Sequence, residues 1–136
     1  MEEANITFIN NRALVAGGGV SISSPGEGPT FTNASFMSNY AEVGGGVFIT
    51  GSGTSFNPDD GELSAGFEGC RFIGNTAEAT GGAIESATGA AAITNTYFKG
   101  NEAGLGGAIR LAGASSVEGC TFEDNVSGLD GGQAIS

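Results

Sequence analysis

Histidine is absent from this chain, and only Arg12, Arg71, Lys99 and Arg110 carry positive charge. The first absence removes the commonest general base and, with it, any Ser-His-Asp arrangement. The second, set against 15 acidic residues and a net charge of −11, gives a surface that repels phosphate backbones and anionic lipid, so nucleic acid is not an expected partner. Cysteine is scarce as well: Cys70 and Cys120 are the two, too few for a metal centre without histidine. No apolar run approaches the roughly 20 residues of a membrane-spanning helix. No basic region leads into an apolar stretch as a secretory signal would. Apolar residues nowhere recur at i, i+3, i+4 and i+7 over three turns, which argues against a helical fold.

Glycine, by contrast, is abundant: 26 residues of 136, where average usage of about 7% gives roughly ten. The glycines lack the three-residue period of collagen, and they recur at fixed offsets beside apolar residues. An aromatic and an asparagine three apart occur five times: Phe8/Asn11, Phe36/Asn39, Phe72/Asn75, Phe98/Asn101 and Phe122/Asn125. Each pair is followed by a glycine motif: Gly17-Gly18-Gly19-Val20, Gly44-Gly45-Gly46-Val47, Gly81-Gly82-Ala83, Gly106-Gly107-Ala108 and Gly131-Gly132-Gln133-Ala134. Successive phenylalanines lie 28, 36, 26 and 24 residues apart. That period, with variable insertions, is the signature of a solenoid.

Alignment on the phenylalanine produces columns. Five residues earlier stand Phe31, Phe67, Ile93 and Val117; two earlier stand Ile6, Ala34, Cys70, Thr96 and Cys120. Two after the asparagine stand Ala13, Ala41, Ala77, Ala103 and Ser127. The apolar columns alternate with polar positions at period two, which is strand patterning. Three before the phenylalanine stand Asn5, Asn33, Gly69, Asn95 and Gly119, the residue types that reach left-handed backbone geometry at low cost and so suit a sharp bend. About five coils stacked some 4.8 Å apart make a rod of about 24 Å. Residues 1–136 therefore read as a single solenoid domain, either a segment of a longer solenoid or a subunit whose ends are covered, because an open end exposes strand edges and core.

Insertions gather at one corner, after the glycine-led strand: Ser23 to Thr30, Gly51 to Ala65, Ser86 to Ala92 and Ala112 to Ser116. Loops of variable length on a constant framework are where a solenoid keeps its specificity.

The paired FxxN and GGA[ILV] motifs resemble the repeats of the chlamydial polymorphic outer-membrane proteins. The resemblance spans residues 5 to 135, and Gln133 departs from it in the last glycine motif. It implies an all-β, right-handed parallel β-helix, a fold shared with pectate-lyase-like enzymes and many surface adhesins. It also implies display at the cell surface, outside the cell, and a role in adhesion.

Side chains that bear chemistry each have a plainer explanation. The asparagines Asn11, Asn39, Asn75, Asn101 and Asn125 form either a glycan-binding ladder or an internal one that satisfies backbone groups. Their fixed offset from an inward phenylalanine favours the internal ladder. Three sequons, at Asn5, Asn33 and Asn125, use residues the coil already explains. Cys70 and Cys120 share a column two rungs apart, about 9.6 Å, beyond the roughly 7 Å reach of a disulfide; both are expected to be free and buried. In the longest loop, Asp59, Asp60 and Glu62 are the candidate calcium ligands, although their spacing is not that of an EF-hand and Asp-Gly is common turn chemistry. No other cofactor is implied. Glu42 and Glu78 fall at equivalent positions on adjacent coils, like charges that either splay into water or attract a cation. Glu85 and Arg110 align as an outward ion pair, worth on the order of 0–1 kcal/mol if exposed.

The reading that follows is a non-enzymatic β-helical module for surface structure or adhesion, which meets a protein or glycan partner through its lateral loops. A second reading is a structural subunit docked in a larger assembly through a flat face or open end, where neighbouring subunits are the partners. A third is a polysaccharide lyase or hydrolase. It is disfavoured because Glu42 and Glu78 flank small residues on a plain face and because Arg110 alone adds a cation beside acidic strand neighbours.

Overall fold

A computed structural model describes residues 2–4, 6–24, 30–51, 65–86, 91–111 and 116–128. Among them there is no helix. Short strands form four sheets, and every strand pairing is parallel. The fold is a parallel β-helix.

Each sheet is made of the same part of successive repeats. One holds Glu2–Ala4, Thr30–Thr32, Ala65–Glu68, Ala91–Thr94 and Ser116–Glu118. The phenylalanine sheet holds Thr7–Ile9, Ser35–Met37, Arg71–Ile73, Tyr97–Lys99 and Thr121–Glu123. The alanine sheet holds Tyr40–Val43, Thr76–Thr80, Glu102–Ala103 and Val126–Ser127. The glycine-led sheet holds Val20–Ser24, Val47–Gly51, Ile84–Ser86 and Ile109–Leu111. Strands this short cannot bury a face alone, so each depends on the like strand above and below.

Register holds like over like. Phe8, Phe36, Phe72, Phe98 and Phe122 are direct partners across their sheet, as are Phe31, Phe67, Ile93 and Val117 across theirs. The first column stacks its rings nearly face to face, with centroids 4.8, 4.5, 5.1 and 4.9 Å apart. Phe31 and Phe67 meet that column edge-on, each 5.7 Å from the ring it abuts, Phe36 and Phe72 respectively. Phe36, Phe72, Phe98, Ile49, Ile84, Ile93 and Ile109 are fully buried, and the core is this continuous apolar column.

Three corners turn each coil. Asn33, Gly69, Asn95 and Gly119 take positive φ in the bend column expected for them. Asn10, Ser38, Gly74, Gly100 and Asp124 do the same just after the phenylalanine strand, a second bend column directly before the repeated asparagine. Gly17, Gly44, Gly81 and Gly106 open the third corner, also at positive φ. The following glycine is required for a different reason: a Cβ on Gly18, Gly45 or Gly82 would fall within 3 Å of a glycine carbonyl oxygen in the next coil.

Candidate functional site

The repeated asparagines run as a hydrogen-bonded ladder whose three middle rungs lie inside the solenoid, with Asn11 exposed and Asn125 half-buried at its ends. Asn39, Asn75 and Asn101 are buried. The Oδ1 of Asn75 accepts from both the backbone N–H and the Nδ2 of Asn39, each at 3.0 Å. Its own Nδ2 donates to Phe36 O at 2.9 Å and to Asn101 Oδ1 at 3.0 Å. The same pattern links Asn11 to Asn39 and Asn101 to Asn125. Each amide is thus committed to the framework, because a buried polar group left unpaired costs the full desolvation penalty. Asn125, the asparagine of the last sequon, is part of this set and also donates to Phe98 O at 3.0 Å.

The cysteines are free, as spacing requires, and differ in environment. Cys70 is buried and Cys120 only half-buried, so the expectation of burial fails for Cys120. Burial pushes the Cys70 thiol up, the opposite of what a reactive nucleophile needs. Thr96 stands between them in the column; it accepts from Cys70 N at 3.3 Å and donates to Thr94 O at 2.9 Å.

On the outer face of the alanine sheet, Glu42 and Glu78 are both exposed. Glu78 accepts a hydrogen bond from the Tyr40 hydroxyl, and the Arg12 guanidinium lies 4.6 Å from the centroid of the Tyr40 ring. The carboxylate that raised the question of a cation is thus engaged by a phenol. Tyr97 donates similarly to Glu123 at 3.1 Å, and Lys99 lies 3.8 Å from the same carboxylate. Both tyrosine hydroxyls are held above their ordinary pKa, Tyr40 chiefly by its bond to Glu78 and Tyr97 chiefly by desolvation.

Glu85 departs from expectation. It does pair with Arg110, at 3.0 Å between Oε2 and Nη1, and the two are direct register partners. The carboxylate is not exposed, however: its side chain is 2% accessible, against 39% for Arg110. Its Oε1 is buried with no hydrogen-bond partner. Glu85 stands in register between Phe48 and Arg110 and is buried at a position that strand parity alone assigns to the outside. An ion pair buried on one side is weak evidence for stability, since desolvation offsets the Coulomb attraction.

Among the described residues no group of three or more Cys, Asp or Glu is placed to hold a metal ion. The candidate calcium ligands Asp59, Asp60 and Glu62 lie outside the described residues, as does most of each insertion loop. The second bend column and the enclosed Glu85 are what the sequence reading missed. The bend column was visible as five consecutive choices from Asn, Ser, Gly and Asp; the enclosure of Glu85 had no signal in residue type.

Two stretches, residues 5–23 and 69–87, match the model of the Chlamydia polymorphic membrane protein (Chlamydia_PMP) repeat. Each contains one aromatic–asparagine pair and the glycine motif after it, so the chain carries repeats of this type. No curated protein and no solved structure matches the chain.

Proposed function

We propose that this chain is a non-enzymatic module of a surface protein, a β-helical spacer that makes adhesive contacts through its lateral loops. The observation that carries the reading is the pair of matches to a membrane-protein repeat, set on a framework whose recurring side chains are consumed by stacking. Phenylalanines fill the core, asparagines bond to one another, and glycines admit the neighbouring coil. Residues that differ between repeats are then left to make specific contacts, and the corner loops hold most of them. The loop from Gly51 to Ala65 is the longest and carries Asp59, Asp60 and Glu62, so a partner offering cationic groups, or a calcium ion bridging to a glycan, suits it.

The test replaces residues 52–64 with a Gly-Ser segment of equal length and measures retention of protein-coated beads on cultured cell surfaces. Retention is expected to vanish while the β-type circular dichroism stays unchanged. Undiminished retention by the replaced form overturns the role of the loop.

A second reading, a subunit docked within a larger assembly, is favoured by one observation. Leu14 is 89% and Val15 63% exposed, in adjacent positions of the first coil. Paired apolar exposure of this kind marks a surface that gains from being covered. Sedimentation of the native protein only as a free species counts against it.

A further inference from the structure

The outer face of the phenylalanine sheet differs from that of the adjoining sheet in both polarity and charge. Parity sends Thr7, Ser35, Arg71, Tyr97 and Thr121 outward in one row, and Ile9, Met37, Ile73, Lys99 and Glu123 in the next. In the second row Ile9, Met37 and Ile73 are direct register partners, an apolar stripe over three consecutive rungs that spans about 9.6 Å. Ile9 is 51% exposed, while Met37 and Ile73 are half-buried. Single exposed apolar residues on a surface need no explanation, but three in one line do. The adjoining sheet shows the contrast, since Thr32, Glu68, Thr94 and Glu118 occupy the corresponding outward row there.

Charge singles out the same face. Arg71 and Lys99 against Glu123 give these ten positions a formal charge of +1 in a chain of −11. Lys99 is paired with Glu123. Arg71 is exposed and belongs to neither ion pair found among the described residues. It sits between Ser35 and Tyr97 in register, on the same strand as Ile73 and two residues before it.

We propose that this face is a docking surface for a partner protein segment that is apolar along one side and bears a carboxylate beside it. The apolar side covers Ile9, Met37 and Ile73, and the carboxylate pairs with Arg71. Ile73 lies two residues along the strand from Arg71, so a segment that covers the stripe also excludes solvent beside the guanidinium, which strengthens its contact with a carboxylate. An anionic lipid surface fits poorly, since it sets many negative charges against a chain of −11 with one unpaired cation on this face, whereas a short segment needs to bring only the carboxylate that meets Arg71. A second copy fits less well than a short acidic segment, since it brings a further −11 with it. None of its residues belongs to the corner loops, so it stands or falls separately from their adhesive role.

Met37 provides the readout. The chain has two methionines, so methyl labelling of methionine gives a spectrum in which Met37 is assigned by a Met37→Leu control. The probes are a synthetic amphipathic peptide alternating leucine and glutamate, its lysine counterpart, and phosphatidylserine-containing vesicles. The acidic peptide is expected to shift the Met37 methyl signal saturably. Arg71→Glu, a change at an exposed position, is expected to weaken that binding about tenfold or more, as is Ile73→Lys, while circular dichroism is unchanged. Replacing residues 52–64 should leave the shift intact. The proposal is overturned if the acidic peptide produces no saturable shift, if the lysine peptide or the vesicles bind as well or better, or if Arg71→Glu has no effect. A shift of the Met37 signal with protein concentration alone, matched by dimer formation in sedimentation, overturns it in favour of self-association.

Discussion

At the level of single residues, the buried asparagines carry a stability role that their polarity conceals. Asn75 takes two hydrogen bonds on Oδ1 and gives two from Nδ2. Asn75→Leu keeps the branching and heavy-atom count but removes the acceptor of the Asn39 backbone N–H and the donor to the Phe36 carbonyl, so the expected loss is about 3 kcal/mol or more, read from denaturant unfolding. Tyr40 offers a gentler test on the surface. Its hydroxyl is held above the ordinary value of 10.0, first by the hydrogen bond to Glu78. The folded pKa lies above the unfolded one, so the stabilisation is complete below pH about 10 and is lost as pH rises through the folded value. Absorbance titration at alkaline pH should show Tyr40 ionising late, and Glu78→Gln should bring it back toward the ordinary range.

At the level of strands and corners, two glycines separate two physical requirements. Gly100 sits at φ +64, and a Cβ there would meet nothing within 4 Å, whereas a Cβ on Gly82 would run into the backbone of Gly107 and Glu102. Gly100→Ala is expected to cost about 1–2 kcal/mol, the penalty for left-handed backbone. Gly82→Ala forces two coils apart and should broaden the unfolding transition or abolish it, which thermal denaturation followed by circular dichroism would show. Strand positions and inward columns were legible from sequence because stacking repeats one choice at each rung: Phe36, Phe72 and Phe98 share one face of their sheet, and a row of rings alternating with polar neighbours belongs to the core. The bend at Gly69 and Asn95 was legible for the same reason. The second bend is legible only from its whole column, since Ser38 and Asp124 are residue types that do not demand positive φ on their own. Glu85 was misplaced because alternation along Ile84, Glu85 and Ser86 fixes the direction of a side chain but not what covers it. All three residues of that strand are buried.

At the level of the whole molecule, charge and stacking pull in opposite directions. Formal charge of −11 over 136 residues opposes compaction through self-repulsion, which salt screens. Raising ionic strength from about 10 mM to about 150 mM shortens the Debye length from roughly 30 to 8 Å, so the unfolding midpoint should rise. A chain held chiefly by exposed ion pairs would show the reverse. The asparagine ladder then has a consequence for how such a molecule can vary. Each inner rung, Asn39, Asn75 and Asn101, receives donors on one side and passes the same donors to the other, so the three share one polarity. Adjacent rungs are consequently interchangeable parts: one can be excised or duplicated, as between Asn75 and Asn101, which lie 26 residues apart, and the cut faces still match. Rod length is free to drift by whole units while the chemistry of each joint stays fixed.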